Sequence, residues 1–295
     1  MHGDYMKFFL THSTQHLRRS FKRCGCDIGR YETYTFADGE RGYRLKEKVN
    51  NESVAIIASI LPNPESLFEL MALHRLAIEN GASKTILVIP YLGYARQDRA
   101  GQPGEGSLGV MVAELIQKFN PSKLALFDVH SDRIRKAFGP SVTELSALPL
   151  FAEALSKRAP DVIVSPDAGF RSRAEELAKL LKPHPEVAVI DKVRPRPNVA
   201  IAKRLHGDVR GKEVLIVDDI IDTGGTLSQA VKLVSENGAQ SIRLAATHGI
   251  FSGDARKRFL QLPVEEILIT NTLPQIRYPK IRLLDIGPLF LDFLK

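Results

Sequence analysis

The chain has 295 residues, enough for two domains of ordinary size, and its 44% hydrophobic and 25% charged residues are typical of a soluble globular protein. No run approaches about 18 apolar residues, and the start of the chain lacks a basic segment followed by an apolar core, so we expect neither a membrane span nor a secretion signal. The net charge of +7 favours anionic partners, and Cys24 and Cys26, too few for a zinc site and too close to bridge one another, fit a cytoplasmic protein.

Short apolar runs rich in β-branched residues alternate with helical patterns along the chain. The helical patterns are clearest at Glu65–Glu79 and Ser228–Glu236. This alternation predicts an α/β fold with mainly parallel sheets flanked by helices. The predicted strands are Val54–Ala58, Thr85–Ile89, Leu124–Phe127, Val162–Val164, Val187–Ile190, Val214–Val217 and Ile242–Ala245.

Two stretches of the chain resemble each other, residues 75–87 and residues 232–244. Each predicts a helix that ends at Asn-Gly and is followed by a strand, and each is preceded by another strand at a similar distance. We therefore predict a duplicated α/β domain, with a boundary near Glu144–Pro149. The expected domains are residues 1–145 and 146–295, with the last residues packing back on the first domain.

Two polar loops stand out in the first half. Phe36, Asp38 and Glu40 surround a glycine, a pattern that by itself is also a common turn. Arg96 and Gln97 follow directly on a predicted strand, at the edge where α/β proteins place ligand loops. Arg96 is suited to a polyphosphate, although a solvated loop would have the same composition.

Two more strand ends carry groups that suit a metal or a phosphate. Strand alternation predicts Asp128 and His130 on one face, where an acid beside an imidazole holds a cation or an anion. Asp167 follows another strand in a turn of small residues and suits Mg²⁺. A histidine at a strand end is more commonly a simple hydrogen-bonding group.

The segment from Asp191 to Asn198 leaves a strand with cations at alternate positions, Lys192, Arg194 and Arg196. Two prolines in the segment prevent a helix. Cations on a stiff loop suit a lid over a polyphosphate, and the alternative is a basic surface loop.

The most informative stretch begins with the buried-type strand Val214–Val217, continues with Asp218 and Asp219, and reaches Asp222-Thr223-Gly224-Gly225-Thr226. The glycine-rich loop and the first turn of the following helix present backbone N–H groups to one spot, which suits a phosphate. The paired carboxylates suit sugar hydroxyls or hydrated Mg²⁺. The alternative is a glycine-rich turn capped by Asp222 or Thr226.

This stretch resembles the phosphoribosyl-diphosphate (PRPP) motif of type I phosphoribosyltransferases and PRPP synthetases. Over residues 36–271, the order of the motifs is similar to that of the ribose-phosphate pyrophosphokinase family. The resemblance implies two duplicated type I phosphoribosyltransferase-like domains. The motifs are F-A-D-G-E, Y-A-R-Q-D-R, D-V-H, S-P-D-A-G, D-K-V-R-P and V-D-D-I-I-D-T-G-G-T.

The resemblance implies transfer of a diphosphoryl group from Mg-ATP to the C1 hydroxyl of ribose 5-phosphate, which gives PRPP and AMP. It also implies a homo-oligomer, a dimer or a hexamer, in which Arg96 and Gln97 meet a neighbouring subunit. The implied residues are Phe36, Asp38, Glu40, Arg96 and Gln97 for ATP; His130 and Asp167 for magnesium; Lys192 and Arg194 for catalysis; and Asp218, Asp222, Thr223, Gly224, Gly225 and Thr226 for ribose 5-phosphate, to which we add Asp219.

The chain departs from the family in several places. After Arg99, where family members continue with basic residues, it has Ala100-Gly101-Gln102-Pro103-Gly104-Glu105. Since that loop contributes to the family's allosteric phosphate and ADP site, we expect weak phosphate activation and weak ADP inhibition beyond simple competition. Phe170 stands where a second glycine is usual.

Three other functions are compatible with parts of the sequence. A PRPP-using phosphoribosyltransferase shares the glycine-rich stretch but does not need the duplicated half. A non-catalytic regulatory subunit associated with PRPP synthetase would keep the fold, but it would not need the intact Lys192, Arg194, His130 and Asp218. Nucleic-acid binding is supported only by the net charge, so we expect neither a nucleic-acid nor a membrane partner.

Overall fold

A computed structural model describes residues 6–193 and 202–294. The chain divides into two units, and the division does not follow chain order throughout. The first unit comprises Met1–Leu145, Thr272–Pro274 and Gly287–Lys295, and the second comprises Ser146–Asn271 and Gln275–Ile286. None of the described helices is both long enough and apolar enough to cross a membrane.

The strands are mostly short, continuous apolar runs, as the sequence predicts for strands covered on both faces. Ser53–Ile57, for example, is buried at every position. In chain order the strands are β1 (Met6–Leu10), β2 (Asp27–Ile28), β3 (Tyr31–Thr35), β4 (Arg41–Leu45), β5 (Ser53–Ile57), β6 (Lys84–Ile89), β7 (Lys123–Phe127), β8 (Val142–Leu145), β9 (Val162–Ser165), β10 (Glu186–Val193), β11 (Ala202–His206), β12 (Glu213–Ile221), β13 (Ser241–Gly249), β14 (Glu266–Thr270) and β15 (Ile281–Leu284).

The helices begin and end where the sequence supplies local signals. Asn63 caps one of them by accepting a hydrogen bond from the backbone N–H of Ser66, and Pro64 is its first residue. In chain order the α-helices are α1 (Arg18–Arg23), α2 (Pro64–Glu79), α3 (Leu108–Gln117), α4 (Asp132–Ala137), α5 (Leu148–Leu155), α6 (Arg171–Leu180), α7 (Gly225–Glu236), α8 (Ala255–Gln261) and α9 (Gly287–Leu294).

The first unit contains a parallel sheet in the order β2-β1-β5-β6-β7-β8. Strands β3 and β4 form a separate antiparallel hairpin. Helix α9, from the end of the chain, also belongs to this unit, because the buried Phe290 packs against Phe21 and Phe127 with ring centroids 5.3 and 4.8 Å apart.

The second unit contains a sheet in the order β11-β10-β9-β12-β13-β14-β15. Its strands are parallel except for β11, which is antiparallel to β10. Alternate residues of β12 enter different cores: Val214 and Ile216 pack with α7 and α8, whereas Leu215 and Val217 pack with α5 and α6. The predicted α/β class, with mainly parallel sheets flanked by helices, is confirmed.

The strand β12 is longer than predicted. It was expected to end before the acidic pair, but it continues through Asp218 and Asp219 to Ile221 because β13 pairs with it that far, Ile221 opposite Gly249. The two aspartates therefore lie within the last part of the strand.

Candidate functional site

The loop that follows β12 turns on Gly224. This residue has a φ of 77°, in the left-handed region that favours glycine, and it is the N-cap of α7. A Cβ atom at this position would lie 2.5 Å from Cε2 of Phe259, so a side chain would also collide with α8. Glycine is required here by the backbone conformation and by the protein's own packing.

The beginning of α7 is open. Its N-cap residue is Gly224, which has no side chain and forms no side-chain cap hydrogen bond, so neither Asp222 nor Thr226 occupies the N-cap position. The first N–H groups of a helix have no acceptor within the helix, and they carry the positive end of its dipole. At Gly225 the nearest heavy atom to an added Cβ is Oγ1 of Thr223, 3.9 Å away. The turn therefore presents donors and open space, which suits an anion.

Asp218 supplies the negative side of the site. Burial raises its pKa well above the ordinary aspartate value, and the charges of Asp219 and Asp167 raise it further. The backbone N–H of Asp219 donates to Oδ1 of Asp218 over 3.0 Å. A carboxylate held among other carboxylates is stabilised by a cation or by hydroxyl donors, so this group suits a diol or Mg²⁺.

Helix α8 braces the loop from outside. Nη1 of Arg258 donates to the backbone carbonyl of Thr223 over 2.7 Å, and the ring of Phe259 fills the space beside Gly224. Neither residue is indicated as functional by the sequence. Their only sequence signal is a helical pattern far along the chain, which does not indicate what the helix contacts.

Asp167 lies in the turn after β9. Its Oδ1 accepts hydrogen bonds from the backbone N–H groups of Gly169 and Phe170 over 2.9 and 3.2 Å, and it caps a single 3-10 turn. Helix α6 begins directly afterwards at Arg171, and Phe170 packs against the core below it. One carboxylate oxygen of the exposed Asp167 is therefore occupied by hydrogen bonds within the turn.

Of the two predicted catalytic cations, Arg194 lies outside the described residues. The backbone of Lys192 lies in β10, opposite Lys203 of β11. Its side chain is not among the parts of the chain that the structure describes. The role of both residues therefore stays a prediction.

The predicted ATP-binding residues belong to the first unit. Phe36, Asp38 and Glu40 form the tip of the β3–β4 hairpin, where the backbone N–H of Phe36 donates to the carbonyl of Glu40 over 2.8 Å. The N–H of Glu40 donates to Oδ1 of Asp38 over 3.0 Å. Phe36 is 51% exposed, so its ring is accessible at the tip of the hairpin.

Arg96 and Gln97 lie on an anchored loop after β6. The N–H of Gly93 donates to the carbonyl of Ile60 over 2.7 Å, and a Cβ at Gly93 would lie 2.5 Å from that oxygen. The N–H of Gln97 donates to the carbonyl of Tyr94 over 2.8 Å. The backbone is therefore fixed, while the side chains of Arg96 and Gln97 are exposed to solvent.

The predicted pairing of Asp128 with His130 on one strand face is wrong. Strand β7 ends at Phe127, and Asp128 has a φ of 33°, so strand alternation does not extend to His130. Asp128 is buried and its N–H donates to the carbonyl of Leu145 over 3.0 Å, whereas His130 is exposed in the loop before α4.

The structure thus gathers the glycine-rich loop, the acidic pair and Asp167 in the second unit, while His130 and the predicted ATP residues belong to the first. Among the described residues, no group of three or more His, Cys, Asp and Glu is placed to hold a metal ion. Mg²⁺ commonly takes one or two carboxylates and completes its shell with water and substrate phosphates. The carboxylates present here therefore fit that ion.

Comparisons with known proteins cover nearly the whole chain. A family described as the N-terminal domain of ribose phosphate pyrophosphokinase matches residues 6–119, and one described as the phosphoribosyl synthetase-associated domain matches residues 161–294. Ribose-phosphate pyrophosphokinase from Aquifex aeolicus is 39% identical over 86% of this chain and 83% of its own length. The protein of that name from Caldanaerobacter subterraneus is 36% identical over 97% and 93%.

A solved structure is also similar. The crystal structure of phosphoribosylpyrophosphate synthetase from Mycobacterium smegmatis covers 98% of this chain, and the chain covers 97% of it. The TM-score is 0.88 and the sequence identity is 29%. The similarity therefore extends over both units and their sheets.

Proposed function

The chain belongs to the ribose-phosphate pyrophosphokinase family, and we propose that it transfers the β,γ-diphosphoryl group of ATP to the C1 hydroxyl of ribose 5-phosphate. The products are 5-phosphoribosyl 1-diphosphate and AMP. The observation that carries the proposal is the open start of α7, with Gly224 in the left-handed conformation and paired carboxylates at the end of the same strand.

In this proposal the second unit binds the sugar phosphate. The backbone N–H groups of Thr223 to Thr226 hold the 5-phosphate, as helix N-termini hold anions generally. Asp218 and Asp219 accept hydrogen bonds from ribose hydroxyls or interact with the cation, and Asp222 shares this role. The site thus fixes the sugar by its two ends and orients the C1 hydroxyl.

The ATP contacts come from the first unit. The adenine packs on Phe36, while Asp38 and Glu40 offer acceptors for its amino group and for the nucleoside. Arg96 neutralises the phosphates, and Gln97 adds hydrogen bonds. A homo-oligomer, a dimer or a hexamer, accounts for the exposed hairpin tip, because a neighbouring copy would complete this site.

The reaction requires little covalent participation from the protein. The C1 oxygen forms a bond to the β-phosphorus, the bond from that phosphorus to the oxygen bridging it to the α-phosphorus breaks, and AMP leaves with that oxygen while the hydroxyl proton passes to solvent. Lys192 and Arg194 neutralise the charge that develops on the transferred group. His130 in the first unit and Asp167 in the second are each proposed to hold Mg²⁺, which would supply further charge neutralisation when bound.

In this proposal the two halves of the chain have different roles. Residues 1–145 bind ATP and form the oligomer contacts, and residues 146–295 bind ribose 5-phosphate and carry the catalytic loop. A cytoplasmic location, suggested by the two unbridged cysteines, is proposed with it.

The test is to incubate the purified protein with ribose 5-phosphate, ATP and Mg²⁺ and to measure AMP and PRPP together. We expect the two products in equal amounts, and neither without the sugar phosphate. Absence of both products, while ribose 5-phosphate still binds, would overturn the proposal. The next assay would then offer PRPP with nucleobases, to test a phosphoribosyltransferase.

A further inference from the structure

A cavity in the first unit lies apart from all of the residues assigned above. Its volume is about 250 Å³, below the roughly 300–1,000 Å³ of sites for drug-sized ligands, so it suits a small occupant. It lies where β1 meets the following helical turns and the chain enters β3. The lining residues are His12, Gln15, Arg18, Gly29, Arg30, Tyr31 and Thr33.

The lining is cationic. Arg18, Arg30 and His12 contribute basic groups, and no Asp or Glu occurs among the described lining residues. A smaller cavity of about 70 Å³ shares His12 but is lined by two carboxylates, Glu65 and Glu69, beside a single arginine, Arg41. The two cavities therefore differ in charge, and only the larger one suits an anion.

The two arginines are available to a ligand to different degrees. In the part of the chain that the structure describes, no carboxylate forms an ion pair with Arg18, which is partly buried. Nε of Arg30 lies 2.9 Å from Oε1 of Glu47, and this bond uses one donor of a guanidinium that has five. An anion in the cavity would provide Arg18 with a charged partner.

His12 is held in place from behind by a buried carboxylate. Its Nδ1 lies 2.5 Å from Oε1 of Glu69, and its backbone N–H donates to Oε2 over 3.1 Å. The hydroxyl of Tyr31 donates to Oε1 over 2.7 Å, and burial raises the pKa of Tyr31, so the hydroxyl remains a donor. Because a carboxylate only accepts, Nδ1 carries the proton, and the ring orientation is fixed at the cavity wall.

The backbone on the opposite side is equally constrained. A Cβ at Gly29 would lie 2.7 Å from the ring of Phe9, so only glycine allows the chain to pass this close to β1. This close approach places Arg30 and Tyr31 beside the cavity. The site is therefore built from buried packing on both sides, with charged groups facing the space between.

We propose that this cavity, formed by Arg18, Arg30, His12 and Thr33, is a binding site for a phosphate group, carried either by inorganic phosphate or by a small phosphate ester. The two guanidinium groups match the charge of a phosphate dianion, and the hydroxyl of Thr33 adds a neutral donor. None of these residues is in the loop 100–105, and none is assigned to ATP or ribose 5-phosphate.

The test is residue-resolved modification of arginines by phenylglyoxal, followed by mass spectrometry of the full-length protein. Inorganic phosphate is compared with chloride at equal ionic strength, so that charge screening is held constant. At phosphate about ten times its dissociation constant, we expect modification of Arg18 and Arg30 to slow about tenfold. Arg19, an exposed neighbour on α1 that does not line the cavity, is the internal control and should react unchanged.

A second arm titrates variants with phosphate by calorimetry. Arg18→Gln should lose one binding event that the wild type and Arg19→Gln both retain. Repeating the protection experiment with ribose 5-phosphate distinguishes the sources, since the phosphate that protects Arg18 at the lower concentration is the preferred one. Equal modification of Arg18 in phosphate and chloride, or wild-type phosphate stoichiometry in Arg18→Gln, would overturn the proposal.

Discussion

The segments β5–α2–β6 and β12–α7–β13 are two copies of one arrangement, and they are nearly identical at one end. Both helices end at an asparagine whose Nδ2 donates over 2.8 Å, Asn80 to the carbonyl of Leu76 and Asn237 to that of Leu233. The glycines that follow, Gly81 and Gly238, have φ values of 82° and 83°. The predicted repeat therefore corresponds to a repeated structure.

The two copies differ at the other end of the helix. In the first, Asn63 and Ser66 satisfy the backbone, since Asn63 accepts from the N–H of Ser66 and Oγ of Ser66 accepts from the N–H of Leu61 over 2.8 Å. In the second, Gly224 leaves the first turn of α7 without a side-chain cap. The same scaffold is thus closed by its own side chains in one copy and open to an anion in the other.

The largest effect is expected from replacing Lys192 or Arg194, the two cations of the second unit that are assigned to catalysis. Lys192→Ala or Arg194→Ala should lower turnover at least about a hundredfold, because each removes charge neutralisation of the transferred group. Binding of ribose 5-phosphate should remain nearly intact. Steady-state kinetics and sugar-phosphate binding are measured, with Lys232→Ala on the exposed face of α7 as control. Near-normal turnover in both variants would contradict the assignment.

The next largest effect is expected from a substitution that adds a side chain in the turn before α7. Gly224→Ala forces a side chain into the left-handed region, at roughly 1–2 kcal/mol, and against Phe259. We expect kcat/KM for ribose 5-phosphate to fall about tenfold or more, with a lower melting temperature. Gly225→Ala meets no close atom and should keep the wild-type melting temperature. Equal losses of stability in the two variants would refute the distinction.

Removing the hydrogen bond between Arg258 and the loop should have a smaller effect. Arg258→Gln loses a charged donor to the carbonyl of Thr223, worth about 1 kcal/mol at an exposed site, so KM for ribose 5-phosphate should rise about fivefold. The turnover number should change little, because Arg258 positions the loop without contacting the substrate. Lys257→Gln, the neighbouring exposed cation, is the matched control. A lower kcat with unchanged KM would be evidence against this role.

The acidic pair should show a trade-off between stability and function. The raised pKa of Asp218 means that the folded protein binds this proton more tightly than the unfolded chain, so stability is complete below pH 3.8 and decreases as the pH rises through the raised pKa. Asp218→Asn should therefore melt at a higher temperature than the wild type at neutral pH, while ribose 5-phosphate binding is lost.

The stabilisation by Asp218→Asn should disappear as the pH falls below 3.8, since Asp218 is then protonated in both states. Thermal unfolding across this range measures the difference, with the exposed Asp254→Asn as control. A wild type more stable than Asp218→Asn at neutral pH would contradict the sign.

The smallest effect is expected from the closed copy. Asn63→Ala removes the cap of α2 and should cost about 1 kcal/mol of folding stability. Because this turn is assigned no ligand, KM and kcat should be unchanged. Denaturant unfolding and steady-state kinetics test both statements, and a substantial increase in KM for ribose 5-phosphate would show that the first copy contributes to the site.

The sequence predicted what local patterns determine. The run Thr85–Ile89 is β6 with one added residue at its start, because a continuous apolar strand can be recognised without its neighbours. The glycine-rich turn was recognised for the same reason. The contact of Arg258 with Thr223 and the turn at Asp128 were not predictable, because each depends on packing between segments distant in the chain or on a backbone angle that no residue type reveals.

The most direct test of the account is a crystal structure of the protein with ribose 5-phosphate. We expect the 5-phosphate at the backbone N–H groups of residues 223–226, the sugar hydroxyls toward Asp218 and Asp219, and no sugar phosphate at the start of α2. A 5-phosphate bound elsewhere, with the first turn of α7 unoccupied, would contradict the claim that the uncapped copy is the sugar-phosphate site.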